Sequence, residues 1–147
     1  MPGSKESTAV IDRVVITRRV EEIDRHLAKI DPYTAQSLEA FLADPIAQDV
    51  VEYNLFQIVN HLIDIVQHTV VDEDFGFPQS AYEAGQILLE KGVFSQGDLA
   101  VYQKMIGFRN VVGHDYLRLD KKIVHSILIE GRKDIKRLAG KIVQRFL

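Results

Sequence analysis

Two stretches of this sequence bring several chemically capable side chains within reach of one another. In the first, His61, Asp64 and His68 recur at i, i+3 and i+7. That spacing sets all three near one face of a helix. Two imidazoles and a carboxylate are a ligand set for zinc or another divalent ion. A metal-binding helix usually takes further ligands from a neighbour, and His26 and Glu52 are the available groups, neither singled out by its spacing. The reading adopted is a polar face on which Asp64 hydrogen-bonds and charges His68 one turn later, with no metal expected. His26, beside Arg25, and His125, among Lys121, Lys122 and Ser126, read as surface histidines.

The second stretch is Gly107-Phe108-Arg109-Asn110-Val111-Val112-Gly113-His114-Asp115-Tyr116. Arginine can grip a phosphate through two parallel hydrogen bonds. Histidine titrates near neutrality and can move a proton. Asn110 can hold a ligand or orient the imidazole. The spacing alone leaves a second reading open, because Arg and His near a helix C-terminus also cap carbonyls and offset the dipole. Tyr116 can likewise be a tyrosine that packs the loop.

Composition narrows the field. The chain has 147 residues, 46% of them hydrophobic, enough for one domain with a proper core. With no cysteine, a disulfide scaffold, a zinc–thiolate site and a thiol nucleophile are excluded. No GxxxxGK[ST] phosphate loop and no GxSxG elbow occurs. The polar N-terminus lacks the apolar run of a secretory signal, and no apolar stretch approaches the ~18 residues of a membrane span. A reducing cytoplasm is the expected compartment. The net charge of −3 hides an asymmetry: residues 1–100 carry 7 basic and 17 acidic side chains, residues 101–147 carry 11 and 4. A basic C-terminal element can attract a polyanion that the whole chain would repel.

Helical spacing dominates the elements that must position these groups. Ile16, Val20, Ile23, Leu27 and Ile30 form one apolar stripe, ended by Asp31-Pro32. A second helix is expected over Thr34 to Ala43, with Leu38, Phe41 and Leu42 inward. Asp44-Pro45 caps a long third helix striped by Val51, Leu55, Ile58, Leu62, Ile65 and Thr69. Ser80 caps a fourth helix through Glu90, closed by Gly92. Ser95 to Asp98 offers a cap for a fifth, expected to stop at Gly113 with His114 just beyond. Asp120 caps the last, striped by Val124, Ile127, Leu128, Gly131, Ile135, Leu138 and Ile142. No segment alternates as a strand would. The expected fold is all-α, an antiparallel helical bundle with short connections, here over residues 12–147 behind a polar leader at 1–11. Complete stripes on long helices also suit pairing across a two-fold axis.

The stretch Arg109 to Tyr116 resembles the Arg-x4-His-x-Tyr motif of the HEPN superfamily in its HepT-like branch. Leu62-Ile63-Asp64-Ile65-Val66-Gln67-His68 is similar to that branch's third-helix segment. Gly76-Phe77-Pro78 with Tyr82-Glu83-Ala84, and Lys104-Met105-Ile106-Gly107-Phe108, are similar to its loop into the fourth helix and the lead into its motif. The resemblance spans roughly Asp12 to Phe146. It implies a metal-independent endoribonuclease toxin without cofactor, restrained by a cognate nucleotidyltransferase antitoxin of the MntA type. It implies a homodimer in which two Arg-x4-His motifs build one RNA-cleaving cleft. Arg109 would then meet transition-state charge, His114 would transfer protons, and Asn110 would orient His114 or a phosphate oxygen. Tyr116 would be the acceptor of AMP, and Asp64 would support the cleft from the third helix. The alternative is a non-catalytic HEPN partner subunit that binds nucleotides or serves the transferase as substrate. A third reading is an interaction module whose motif only caps a helix.

Overall fold

A computed structural model describes residues 2–114 and 119–147, and of residues 2–12 only the backbone. Among the described residues seven α-helices follow one another: α1 (Pro2–Ile30), α2 (Leu38–Leu42), α3 (Pro45–Asp72), α4 (Ala81–Glu90), α5 (Gln96–His114), α6 (Lys121–Ser126) and α7 (Arg132–Phe146). No strand occurs among the described residues. The helical backbone of α1 begins at Pro2, within the segment set apart in the sequence as a polar leader. No helix among the described residues is long and apolar enough to cross a membrane.

The helix starts follow the capping chemistry of the sequence. Asp44 accepts from the Ala47 amide at 3.0 Å and Pro45 supplies a preset φ at the first helical position. Ser80 accepts from the Glu83 amide at 3.0 Å. At the head of α5, Ser95 and Asp98 bond each other's amides reciprocally, at 3.1 and 2.9 Å, which satisfies two orphan donors at once. Asp120 accepts from the Lys122 amide at 2.9 Å. Gly92, at φ +74°, ends α4 in a conformation that side chains disfavour.

Three expectations change. The second helix does not run from Thr34 to Ala43: a 3-10 turn covers Asp31–Ala35, Gln36 is extended, and α2 is only Leu38–Leu42. Pro32 opens the tight turn and Ser37 caps anew, so the segment breaks in two. With little more than one turn, α2 buries Phe41 alone and leaves Leu38 and Leu42 exposed. Next, α5 passes through Gly113 and includes His114. Glycine permits a left-handed stop without compelling one, and Gly113 is not at positive φ. Finally, the last helix contains a π-helical stretch, Ile127–Gly131, between α6 and α7. A Cβ at Gly131 would stand 2.9 Å from the Ile127 side chain and 3.0 Å from Met105 of α5, so the missing methyl lets α5 come close.

The core is organised around α3. It packs against α1, α2, α4, α5, α6 and α7, and thirteen of its residues are buried. Three of these are polar, and each has at least one partner, although the second carboxylate oxygen of Glu52 has none among the described residues. Glu52 pairs with Lys121. Asn54 donates to the Val50 carbonyl at 2.7 Å and accepts from His26. Thr69 donates to the Ile65 carbonyl at 2.7 Å. Such pairing matters because an unpaired buried polar group costs about 1–3 kcal/mol.

A second polar anchor ties the head of α5 to α7. Asp98 is buried and meets both Arg137, at 3.2 Å, and Lys141. Burial alone would push its carboxyl up, but Lys141, the Ser95 amide and hydroxyl, and Arg137 outweigh it and hold it down at about 2, from the usual 3.8. A lowered pKa adds stability above the unfolded value that disappears as pH falls through the folded one. Wild-type protein should therefore lose about 1–2 kcal/mol between pH 4 and 2 through this group. Urea midpoints measured across that range should fall less steeply for Asp98→Asn than for wild type.

Candidate active site

The residues of the Arg109 to His114 segment all lie on α5, whose buried side consists of Leu99, Tyr102, Met105, Ile106 and Phe108. Arg109 follows Met105 by one turn and is half-buried, while Asn110 and His114 are exposed. On a helix a separation of five residues turns the side chains by about 140° and shifts them about 7.5 Å along the axis. Arg109 and His114 of one chain therefore do not converge on one small ligand. Asn110 lies between them in the sequence. It is adjacent to Arg109 and one turn before His114.

The Asn110 side-chain oxygen accepts from Arg109 Nε at 3.2 Å and Nη2 at 3.1 Å. This aligns the guanidinium without neutralising it. Among the described residues no carboxylate pairs with Arg109 within 4 Å. A positive charge held by a neutral amide near the partly negative end of a helix is arranged to take an anion. The field of Arg109 reaches the buried Tyr102 phenol, as does that of Asp64; burial is the main cause pushing that phenol up. Tyr102 donates to the Ala81 carbonyl at 3.0 Å, which fixes α5 against the start of α4.

The exposed face of α5 is unusually bare. Gly107, Asn110, Val111 and His114 follow the i, i+3, i+4, i+7 pattern of one face, and a Cβ at Gly107 or Gly113 would meet nothing within 4 Å. Beside Gly107 lies a groove of about 580 Å³ between α5 and α6, lined chiefly by Phe108, Val111, Leu119, Ile123 and Ile127. The basic α7 side chains Arg137 and Lys141 are committed to Asp98, and Arg132 to Asp31 at 2.5 Å.

The other expected residues are distributed differently. Tyr116 lies outside the described residues. Asp64 pairs with Arg19 of α1 at 3.3 Å rather than with His68, and His68 instead meets Asp72 at 3.7 Å. The i, i+3, i+7 face of α3 therefore splits. His61 turns toward α1, where its ring stacks on His26 at 5.9 Å, and burial, Arg19 and His26 lower its pKa. His26 is not a surface histidine but 4% exposed. His125 is half-buried, with Nε2 3.0 Å from the Gln36 carbonyl. The sequence offered Glu52 only as a possible metal ligand and Lys121 only as a neighbour of His125; the structure pairs the two, which secures the start of α6 on α3. The sequence signal for a buried role was weak in both cases: an acid inside an apolar run and a lysine at a helix start.

An all-α bundle with an arginine and a histidine five residues apart on one helix fits a class of helical nucleases. A family model described as ribonuclease HepT-like matches residues 23–142, and the chain belongs to that family within the HEPN superfamily and is an endoribonuclease by that membership. It is 27% identical over 123 residues to the mRNA nuclease HepT of Shewanella oneidensis, covering 84% of this chain and 92% of that one. It is 30% identical over 125 residues to a putative RNase of Archaeoglobus fulgidus, covering 83% and 90%. Its fold is similar to the tri-AMPylated Shewanella oneidensis HEPN toxin solved in complex with its MNT antitoxin, with a TM-score of 0.80, 26% identity and coverage of 89% and 98%.

The bare face carries a test. Gly107→Ala should stabilise α5 by about 0.5–1 kcal/mol, since helical alanine restricts the unfolded chain at no steric cost. It should also lower RNA cleavage, because the methyl projects from the face beside Asn110 and His114. Thermal unfolding and cleavage rates read the two effects separately. A glycine kept for folding alone would lose stability and leave turnover untouched.

Proposed function

We propose that this protein is the toxin of a toxin–antitoxin pair, a metal-independent endoribonuclease whose site is completed by two copies of the chain. The observation that carries the reading is the divergence of Arg109 and His114 on α5. One motif cannot surround a phosphodiester, whereas two motifs related by a two-fold axis supply two arginines and two histidines around it. The groove beside Gly107, with Val111 and Ile123 exposed at 39% and 52%, supports a partner surface next to the motif.

RNA supplies its own nucleophile, the 2′-hydroxyl beside the scissile phosphate. One His114 takes the proton from that hydroxyl as its oxygen attacks phosphorus. The partner copy's equivalent histidine gives a proton to the departing 5′-oxygen. The P–O5′ bond breaks and a 2′,3′-cyclic phosphate remains. Arg109, aligned by Asn110, meets the charge that builds on the non-bridging oxygens. This chemistry requires no metal ion, because neither the nucleophile nor the charge stabilisation depends on one. Asp64, drawn toward Arg19, acts at most through the packing of α3.

Regulation follows from Tyr116, two residues beyond His114 in the chain. Transfer of AMP from ATP to its hydroxyl by an MntA-like nucleotidyltransferase, with release of pyrophosphate, would set a bulky anion at the cleft and repel RNA. The toxin–antitoxin complex of the AMPylated Shewanella relative supports this reading.

Purified wild-type protein in EDTA should cleave RNA and leave cyclic phosphate ends. His114→Ala should be slower by about 10²-fold or more with its fold intact. A mixed dimer with one His114 should be comparably impaired, and full activity there would eliminate the two-histidine mechanism. A folded, unmodified wild type that cleaves no messenger, transfer or ribosomal RNA would leave the non-catalytic partner subunit as the function.

With the transferase and ATP, wild type should gain AMP and lose nuclease activity, and Tyr116→Phe should resist both changes. Mass spectrometry and the same cleavage assay read them. Inactivation of Tyr116→Phe to the wild-type extent would move the acceptor elsewhere.

A further inference from the structure

The contact between α1 and α3 holds a second cluster that RNA cleavage does not use. The side-chain ligand atoms of Glu22, His26 and His61 all lie within 4.8 Å of one another. Glu22 and His26 are one turn apart on α1, and His61 comes from α3. Among the described residues this is the one group of three or more such side chains so arranged.

His26 is the informative member. It is 4% exposed, and its Nδ1 lies 2.8 Å from the Asn54 oxygen. The Asn54 amide nitrogen is committed to the Val50 carbonyl, so its oxygen can only accept and His26 Nδ1 must carry the proton. In the neutral ring Nε2 is then a bare lone pair. It faces a Glu22 carboxylate oxygen at 3.9 Å, too far for a hydrogen bond. A lone pair that faces a carboxylate oxygen across 3.9 Å is a geometry that a cation standing between them would satisfy. An imidazole whose far nitrogen donates to a fixed acceptor is also the arrangement that orients histidine ligands on metals.

His61 closes the third side. Its Nδ1 lies 3.2 Å from Arg19 Nη1, which competes for that lone pair. The other terminal nitrogen of Arg19 is held by Asp64 at 3.3 Å, so the guanidinium keeps a partner when the imidazole turns away. Arg25 bonds Glu22 at 2.6 Å from the solvent side and likewise must yield. In a tetrahedral site with bonds near 2.1 Å the donors sit about 3.4 Å apart. Glu22 and His61 are half-buried and have room to close that gap, whereas His26 is fixed.

We propose that Glu22, His26 and His61 form a binding site for one divalent transition-metal ion of the zinc type, clamping α1 to α3, with water completing the coordination. Two imidazoles and a carboxylate favour such an ion over the hard, oxygen-seeking magnesium or calcium. The ion takes no part in the RNA chemistry proposed above, and the inference does not rest on it.

The test uses full-length protein, freed of any histidine tag and stripped with EDTA, titrated with Zn²⁺ by calorimetry and with Co²⁺ by visible absorption. One equivalent per chain should bind and raise the melting temperature. His61→Ala and Glu22→Gln, at half-buried positions that spare the core, should each weaken binding about tenfold or more. His68→Ala, which removes only the surface pair with Asp72, should leave it unchanged. Absence of saturable binding overturns the site. So does binding lost in His68→Ala but kept in His61→Ala, or Mg²⁺ binding as tightly as Zn²⁺. RNA cleavage by the EDTA-stripped wild type reports separately on the nuclease, so failure of either reading is distinguishable.

Discussion

Burial of α3 on nearly every side is the constraint on which the rest of the molecule depends. A surface helix needs one apolar stripe, but α3 meets six other helices and must be apolar over most of its circumference. Val51, Leu55, Ile58, Val59, Leu62, Ile65 and Val66 are completely buried. Any polar residue inside that envelope must find a partner, and each partner it finds ties another helix in place. Asn54 holds His26 of α1, and Glu52 holds Lys121 at the start of α6. Polar groups on the central helix thus specify how its neighbours sit, while apolar contact supplies most of the stabilisation.

That frame explains why the motif helix can be bare on one face. Tyr102 fixes α5 to α4 through the Ala81 carbonyl, and Asp98 fixes its head to α7 through Arg137 and Lys141. With its first half anchored, the second half can present Asn110 and His114 to solvent and leave Gly107 and Gly113 without neighbours. Two glycines in a helix weaken it by roughly 1 kcal/mol each relative to alanine. Among the described residues no packing contact accounts for keeping them. The guanidinium beside them is aligned by the Asn110 amide and has no carboxylate partner among the described residues.

The two histidine-bearing regions show how differently local and tertiary spacing act. His61, Asp64 and His68 share a helix face in sequence, yet they do not act together: Arg19 of α1 takes His61 and Asp64, while His68 meets Asp72. Side chains on one face of a buried helix point at whichever neighbour covers that part of its length. The cluster that does form joins Glu22 and His26 to a residue 35 positions further on, and only the packing of α1 along α3 could bring them together. The Glu22–His26 spacing was readable as i, i+4, but the burial of His26 was not, because a histidine flanked by Arg25 looks polar until Asn54 is placed against it.

Much of the fold was legible in the residues themselves. Caps at Asp44, Ser80, Ser95 and Asp120, the stop at Gly92, and the 4-3-4-3 stripes all act within a few residues, where chain connectivity already places the partners. For the same reason the Arg109 to His114 motif could be identified without coordinates. What tertiary structure decided were matters of distance along the chain: that α5 runs on through Gly113 and so turns Arg109 away from His114, that the last helix takes a π-helical stretch where Gly131 meets Met105, and that α2 shrinks to five residues. Local chemistry permits several helix lengths and several partners for each polar group. Only packing against a shared core selects among them, because the free energy that separates those choices comes from contacts between residues far apart in sequence.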